Sequence, residues 1–186
     1  MNTKTIYLVF TRTGTWLSNV IYWFTSDEYV HVSISFDKTF SEMYSLGRKN
    51  PRNPFSGGLV KENIHDGVFK NFSNSKCLIY KLDVTETQFN TLKQSIDFHY
   101  NQREKYRYNF LGLLALHLNI PLKRDDYYFC SEFISELFIE SGIHTTTKLP
   151  QFMKPLDLLE IPNKEFVYEG YINEYKTTNT LAILHN

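Results

Sequence analysis

Residues 127–142 read YYFCSEFISELFIESG, and the fold is decided by taking them as a buried helix with Cys130 in its first turn. Phe133, Ile134, Leu137 and Phe138 recur at helical spacing, Glu132, Glu136 and Glu140 mark the opposite, wet edge, and Gly142 supplies the stop. A thiol at a helix N-terminus meets unpaired backbone N–H groups and the positive end of the helix dipole, both of which favour the thiolate. Cysteine is also a common small buried hydrophobe, so this stretch by itself leaves Cys130 open between a nucleophile and inert core.

A cysteine nucleophile needs a base within hydrogen-bond reach, and the base needs a polar group to orient it. Of the six histidines, His99 and His117 fall on apolar helical stripes and read as packed residues, and His65, His144 and His185 fall in loops or the tail. His31 alone lies on a strand with room beside it. Tyr29 to Phe36, YVHVSISF, alternates, with Val30, Val32, Ile34 and Phe36 on one face and Tyr29, His31, Ser33 and Ser35 on the other. The serines are small enough to admit another element against the His31 face, and the Cys130 helix is the expected occupant.

The remaining chain supplies the scaffold. Thr5 to Phe10 is a strand, TRTGT a turn, and residues 16–25 an aromatic helix capped by Thr15, with Trp16, Val20, Trp23 and Phe24 on one face. Asp37 to Thr39 connects the histidine strand to a hairpin partner at Phe40 to Leu46. Residues 47–67, rich in Gly, Pro and Asn, read as a long loop able to cover a site. Lys76 to Asp83 is a strand with Cys77 as filler, and Thr85 with Gln88 has the capping-box spacing that opens a helix through Phe89, Leu92, Ile96 and His99. Tyr108 to Ile120, YNFLGLLALHLNI, reads as a buried helix ended by Pro121; LPQFMKPLDLLEIP is an extended crossing with one short turn; Lys164 to Ile172 is a late strand; residues 173–186 form a fraying tail. The 186 residues are expected to form a single domain.

Composition excludes several classes. Twenty Lys and Arg balance twenty Asp and Glu without a basic block, which argues against nucleic acid as a partner. The two cysteines have neither disulfide-framework nor zinc spacing, so no metal or organic cofactor is expected. The polar turn after the first few residues is too early for a signal peptide, and no apolar run approaches the ~18 residues of a membrane span. A soluble, cytoplasmic protein is the expectation.

With YVHVSISF, a hairpin, a long variable middle and then YYFCSEFISELFIESGI, the chain resembles the circularly permuted papain-like cysteine hydrolases, the YiiX-like proteins related to NlpC-type cell-wall peptidases and to the lecithin retinol acyltransferase group. In papain-like enzymes of ordinary order the cysteine helix precedes the histidine strand, and in the permuted ones it follows, as Cys130 follows His31 here. The resemblance spans about Thr5 to Gly142 and implies an α+β fold: an antiparallel sheet centred on the His31 strand, with the Cys130 helix packed on one face. It implies Cys130 as nucleophile, His31 as general base and then acid, and a polar third residue on the following strand, for which Glu42 is the candidate. Register decides that last choice. An even hairpin loop puts Glu42 and Tyr44 on the His31 face, and an odd one puts Ser41, Met43 and Ser45 there. The Cys130 N–H is the expected oxyanion donor, and Arg12 and Thr13 either flank the site or are plain turn residues.

The expected activity is a thiol hydrolase or acyltransferase cleaving an amide, ester or thioester through a covalent acyl-enzyme on Cys130, with a small-molecule, lipid or peptide substrate. Trp16, Trp23 and the Tyr108 to Ile120 segment suit an acyl pocket or an ordinary core equally. The competing class is a noncatalytic acyl- or peptide-binding module of the same fold. A redox-sensing thiol would need Cys77 as its resolving partner, and its strand context suits it poorly.

Overall fold

A computed structural model describes residues 3–15, 18–19, 22–23, 27–50, 53, 56–72 and 74–175. The protein is mixed α and β around one six-stranded antiparallel sheet. Its strands are β1 (Thr3–Arg12), β2 (His31–Ser35), β3 (Met43–Arg48), β4 (Gly57–Glu62), β5 (Lys76–Thr85) and β8 (Lys164–Tyr171), in spatial order β4-β3-β2-β1-β5-β8. A parallel two-stranded ladder, β6 (Arg107–Tyr108) with β7 (Tyr127–Tyr128), stands beside it. Among the described residues, the helices with defined bounds are α1 (Gly67–Asn71), α2 (Glu86–Asn101), α3 (Phe110–His117) and α4 (Cys130–Glu140).

β1 shows why the sheet is covered on both sides. Its Ile6, Leu8 and Phe10 join the larger core with α2 and α4, whereas Val9, two bonds of the pleat away, joins a smaller core with Phe69 of α1, Ile64, Phe40 and Ile172. β2 divides in the same way. Val32 and Ile34 pack in the core that contains Phe133, Ile134, Leu137 and Phe138 of α4. The cysteine helix therefore lies on the valine and isoleucine face, and the expectation that it docks on the Ser33 and Ser35 face is corrected. β-branched and aromatic side chains give a helix far more apolar area to bury than two serines do.

α2 begins as its sequence requires, with the Thr85 hydroxyl accepting from the Gln88 N–H at 3.2 Å and the Gln88 side chain accepting from the Thr85 N–H at 2.9 Å. Gly142 at φ +68° follows α4 and takes the left-handed turn while Ile143 N–H returns to the Phe138 carbonyl at 2.9 Å. The Ser131 hydroxyl, donating 2.6 Å to the Met153 carbonyl, ties the first turn of α4 to the segment behind it.

Four sequence expectations change here. Residues 47–67 are not one loop: they complete β3, contain all of β4 and open α1. α3 is not buried. It turns Gly112 and Ala115 inward and leaves Leu111 and Leu114 exposed, with Leu118 and Ile120 exposed just beyond its end. An all-apolar run carries no periodicity to say which face goes in, and here the small residues do, because a Cβ at Gly112 would lie 2.3 Å from the Asn109 amide nitrogen. His117 is on that exposed side and is no core histidine, whereas His99 is half-buried with Nδ1 2.6 Å from the Tyr106 hydroxyl. The crossing after α4 holds two 3-10 turns, Pro150–Phe152 and Pro155–Glu160. Trp16, Val20 and Phe24 of the expected aromatic helix, and residues 176–186 of the tail, lie outside the described residues, and Trp23 is exposed. Among the described residues no helix is long and apolar enough to cross a membrane.

Candidate active site

Cys130 is the first residue of α4 and His31 the first residue of β2, so each functional group sits at the mouth of its element. The His31 ring lies near enough to the Cys130 side chain for the two to influence each other electrostatically. His31 Nε2 lies 3.0 and 3.1 Å from the two carboxylate oxygens of Glu62. The structure thus brings together Cys130 and His31 of the expected site, and sets a carboxylate behind them that sequence reasoning missed.

Glu42 is not that carboxylate. Ile34 pairs with Tyr44 and Ser35 with Met43, which is the odd-loop register, so Ser45 and Met43 share the His31 face and Glu42 falls on the other. Glu42 instead holds Lys61 at 2.9 Å and accepts from the Tyr44 hydroxyl. These bonds, first Tyr44 and then Lys61, keep its carboxyl below the ordinary range.

Glu62 reaches His31 through register and small residues. Met43 pairs with Glu62 across β3 and β4, which turns the glutamate to the face that carries His31 and Ser33. The Ser33 hydroxyl donates to it at 2.5 Å, while the Ser45 hydroxyl lies beside it without a hydrogen bond. Gly47 completes the slot, since a Cβ there would stand 2.8 Å from Glu62 Oε1. The serine face is therefore the floor of a carboxylate slot. The readable signals were Ser33, Ser45 and Gly47; the missing one was that β4 exists.

Burial alone would lower the His31 pKa, but the charge of Glu62, followed by the Cys130 group, outweighs it and raises the pKa to about 10. Burial likewise works to raise that of Glu62, and the His31 charge and the hydrogen bonds from His31 and Ser33 hold it below the ordinary carboxylate range. The imidazolium and carboxylate are each other's partners, with side chains only 19% and 15% exposed.

Tyr108, expected to open a buried helix that suits an acyl pocket or a core equally, lies instead on β6. It lines the same cavity as His31, and burial followed by the nearby Cys130 charge raises its phenol well above the usual value. Its Cβ packs on Gly57, where any side chain would place a carbon 2.4 Å away. Thr13 also lines the cavity, whereas Arg12 stacks its guanidinium 3.7 Å from the Tyr22 ring centre. The cavity has room for about 60 Å³, and Cys130, which is not in its lining, is only 2% exposed. Cys77 lies in the smaller core, its thiol pushed up by burial to about 12. Among the described residues no cluster of three or more His, Cys, Asp or Glu is arranged to hold a metal ion.

Glu132, expected on the wet edge of α4, is fully buried. One carboxylate oxygen accepts from the Phe129 N–H at 3.4 Å and the other has no hydrogen-bond partner. Burial raises its pKa to about 7, against a smaller lowering by Lys123. Because the folded value lies above the ordinary 4.5, the stability tied to this group is present in full below about 4.5 and is lost as pH rises through about 7. Glu132→Gln is expected to remove this dependence, gaining on the order of 3 kcal/mol at pH 8 relative to pH 4.5. Urea denaturation at the two pH values checks it, and equal pH dependence in both proteins rules it out.

No family model matches this chain, and comparison with curated proteins finds none similar to it.

Proposed function

We propose that this protein is a thiol hydrolase or acyltransferase of the circularly permuted papain-like type, with Cys130 as nucleophile, His31 as general base and acid, and Glu62 as the group that orients His31. The observation that carries the proposal is the His31–Glu62 pair, with Nε2 3.0 and 3.1 Å from the carboxylate oxygens, set beside Cys130 at the start of α4. The proton of the Cys130–His31 pair resides on His31, which Glu62 holds as the imidazolium, and the Cys130 sulfur attacks the carbonyl of an amide, ester or thioester. The carbonyl electron pair moves to oxygen, where the backbone N–H of Cys130 at the start of α4 is one donor. The intermediate collapses as His31 protonates the leaving group, giving an S-acyl enzyme. Water or another acceptor then gives its proton to His31 and releases the acyl group, restoring the thiol.

A specific observation also favours the noncatalytic module. Cys130 is only 2% exposed, and an access route to sulfur is as necessary as a base. One experiment separates the two. The protein is incubated with nitrophenyl esters and thioesters of short acyl groups, and the Cys130 peptide is examined by mass spectrometry. An acyl adduct on Cys130 that is lost in Cys130→Ser and suppressed in His31→Gln is the expected result. Ligand binding without any adduct, with iodoacetamide labelling of Cys130 identical in His31→Gln, would leave the module reading.

A further inference from the structure

We infer that Glu132 is a positioning residue for Cys130: its buried carboxyl, set between the Phe129 N–H and the Asn109 amide, holds the peptide that joins Phe129 to Cys130, and with it the sulfur and the oxyanion-binding N–H, in one orientation. This deepens the proposed thiol chemistry and rests on it. Glu132 is 0% exposed, one of its oxygens accepts from the Phe129 N–H at 3.4 Å, and the Asn109 side chain lies near enough to act on the carboxyl.

Stability does not explain this glutamate. Phe129 stands at the N-cap of α4 and has no side-chain oxygen to cap it, so of the two reciprocal bonds of a capping box only the one from Glu132 can form. A serine or aspartate at position 129 and an apolar residue at 132 would stabilise the helix better, because a buried carboxyl with one oxygen unpartnered is destabilising. A buried, incompletely satisfied titratable group in the same helical turn as a reacting residue is the mark of a functional position.

The surrounding bonds make a frame with Cys130 inside it. The Asn109 N–H donates to the Tyr128 carbonyl at 2.9 Å, the Phe133 N–H to the Phe129 carbonyl at 3.1 Å, and the Ser131 hydroxyl to the Met153 carbonyl at 2.6 Å. The Phe129 N–H is the link between these, and Glu132 holds it. Asn109 is fixed in turn, its side-chain oxygen accepting from the Gly112 N–H at 2.9 Å at the start of α3 and from Arg124 at 3.4 Å. Its amide nitrogen and the second Glu132 oxygen are both buried without a hydrogen-bond partner, a donor and an acceptor that complete each other after a small shift of either side chain. Lys123 and Glu136 act on Glu132 through charge in opposite senses. With burial raising its pKa to about 7, the carboxyl is mostly neutral at pH 6, where glutamine copies it closely.

The test is single-turnover acylation of Cys130 by nitrophenyl butyrate at pH 6, read as nitrophenol release, with amide hydrogen exchange at Phe129 followed in parallel. Glu132→Leu removes the acceptor, and its maximal acylation rate is expected to fall about tenfold or more while the half-saturating ester concentration stays within about twofold. Exchange at Phe129 should quicken in the same variant. Glu132→Gln keeps an acceptor oxygen for the Phe129 N–H and is expected to hold the rate within about threefold of wild type. Glu132→Asp has a shorter reach, is expected to lose rate as leucine does, and stands in should Glu132→Leu fail to fold. Asn109→Ser, which retains a hydroxyl to cap α3, is expected to lose rate severalfold. A folded leucine or aspartate variant acylating at the wild-type rate, or a glutamine variant as impaired as leucine, would overturn the role and leave the chemistry standing. Absence of any Cys130 adduct in the wild type would remove the chemistry and this role with it.

Discussion

In His31→Gln the rate of acyl transfer to Cys130 is expected to fall on the order of 10²–10⁴-fold, the range that loss of a positioned acid–base group commonly produces. Glutamine keeps a hydrogen-bond donor for Glu62 but cannot carry a proton from sulfur to the leaving group. Alanine is the harsher change, because it also strands the Glu62 carboxylate, whose side chain is only 15% exposed, without its cation. Pre-steady-state release of nitrophenol is the measurement, with thermal unfolding run alongside so that a folding defect is recognised as one. A glutamine variant that is folded and acylates at the wild-type rate removes His31 from the mechanism.

Glu62→Gln is expected to lower turnover by up to about 10⁴-fold, as neutralising the carboxylate of a nucleophile–base–acid line does elsewhere. The change preserves volume and one acceptor oxygen, and replaces the other oxygen and the charge with a neutral NH2 donor. The imidazolium then loses its main support, so the His31 pKa should fall from about 10 toward the ordinary 6.5, an effect seen directly by NMR titration of the ring. Stability follows with a definite sign. A histidine raised in the folded state contributes in full below about 6.5 and loses that contribution as pH rises through about 10. Glu62, lowered in the folded state, contributes above its ordinary 4.5 and loses it as pH falls through its folded value. The pair therefore stabilises most between about 4.5 and about 6.5, and its contribution declines as pH rises from there through about 10. In Glu62→Gln that mildly acidic maximum should flatten; a pH profile of Tm identical to wild type would show that the two groups do not support each other.

The elements that carry their own local chemistry were legible in the chain. α2 announces itself through Thr85 and Gln88, α4 through its apolar spacing and Gly142, and β2 through alternation; these put Cys130 in the first turn of its helix and His31 on its strand, although the strand begins at His31 rather than at Tyr29. Glu62 was not legible because its position depends on two successive registers, β2 to β3 and β3 to β4, and a one-residue difference in the first exchanges Glu42 for Ser45 on the His31 face. β4 itself reads GGLVKE, two glycines before a short apolar pair, and glycine-rich sequence argues for a turn unless a neighbour needs the space. Here the neighbours are the Glu62 carboxylate at Gly47 and Tyr108 at Gly57. Glu132 misled for a related reason: its four-residue spacing from Glu136 is real, but in the first turn of α4 it lies fully buried, beside Phe129 and Asn109.

The ladder between β1 and β5, in which Thr3 lies opposite Thr85 and Arg12 opposite Lys76, makes this a chain of high contact order. β1 must wait for everything between itself and β5 before its second edge is paired, and closing so long a loop is paid in entropy before any contact returns it. The three polar groups of the site arrive on β2, β4 and α4, one element before that closure, one just ahead of it and one well after it. The full set therefore exists only when strands from the first third of the chain and a helix from its last third are held together, and no fragment lacking α4 contains it. The site is thus a readout of the whole assembled sheet: whatever loosens the long-range β1–β5 ladder loosens the support of the chemistry as well.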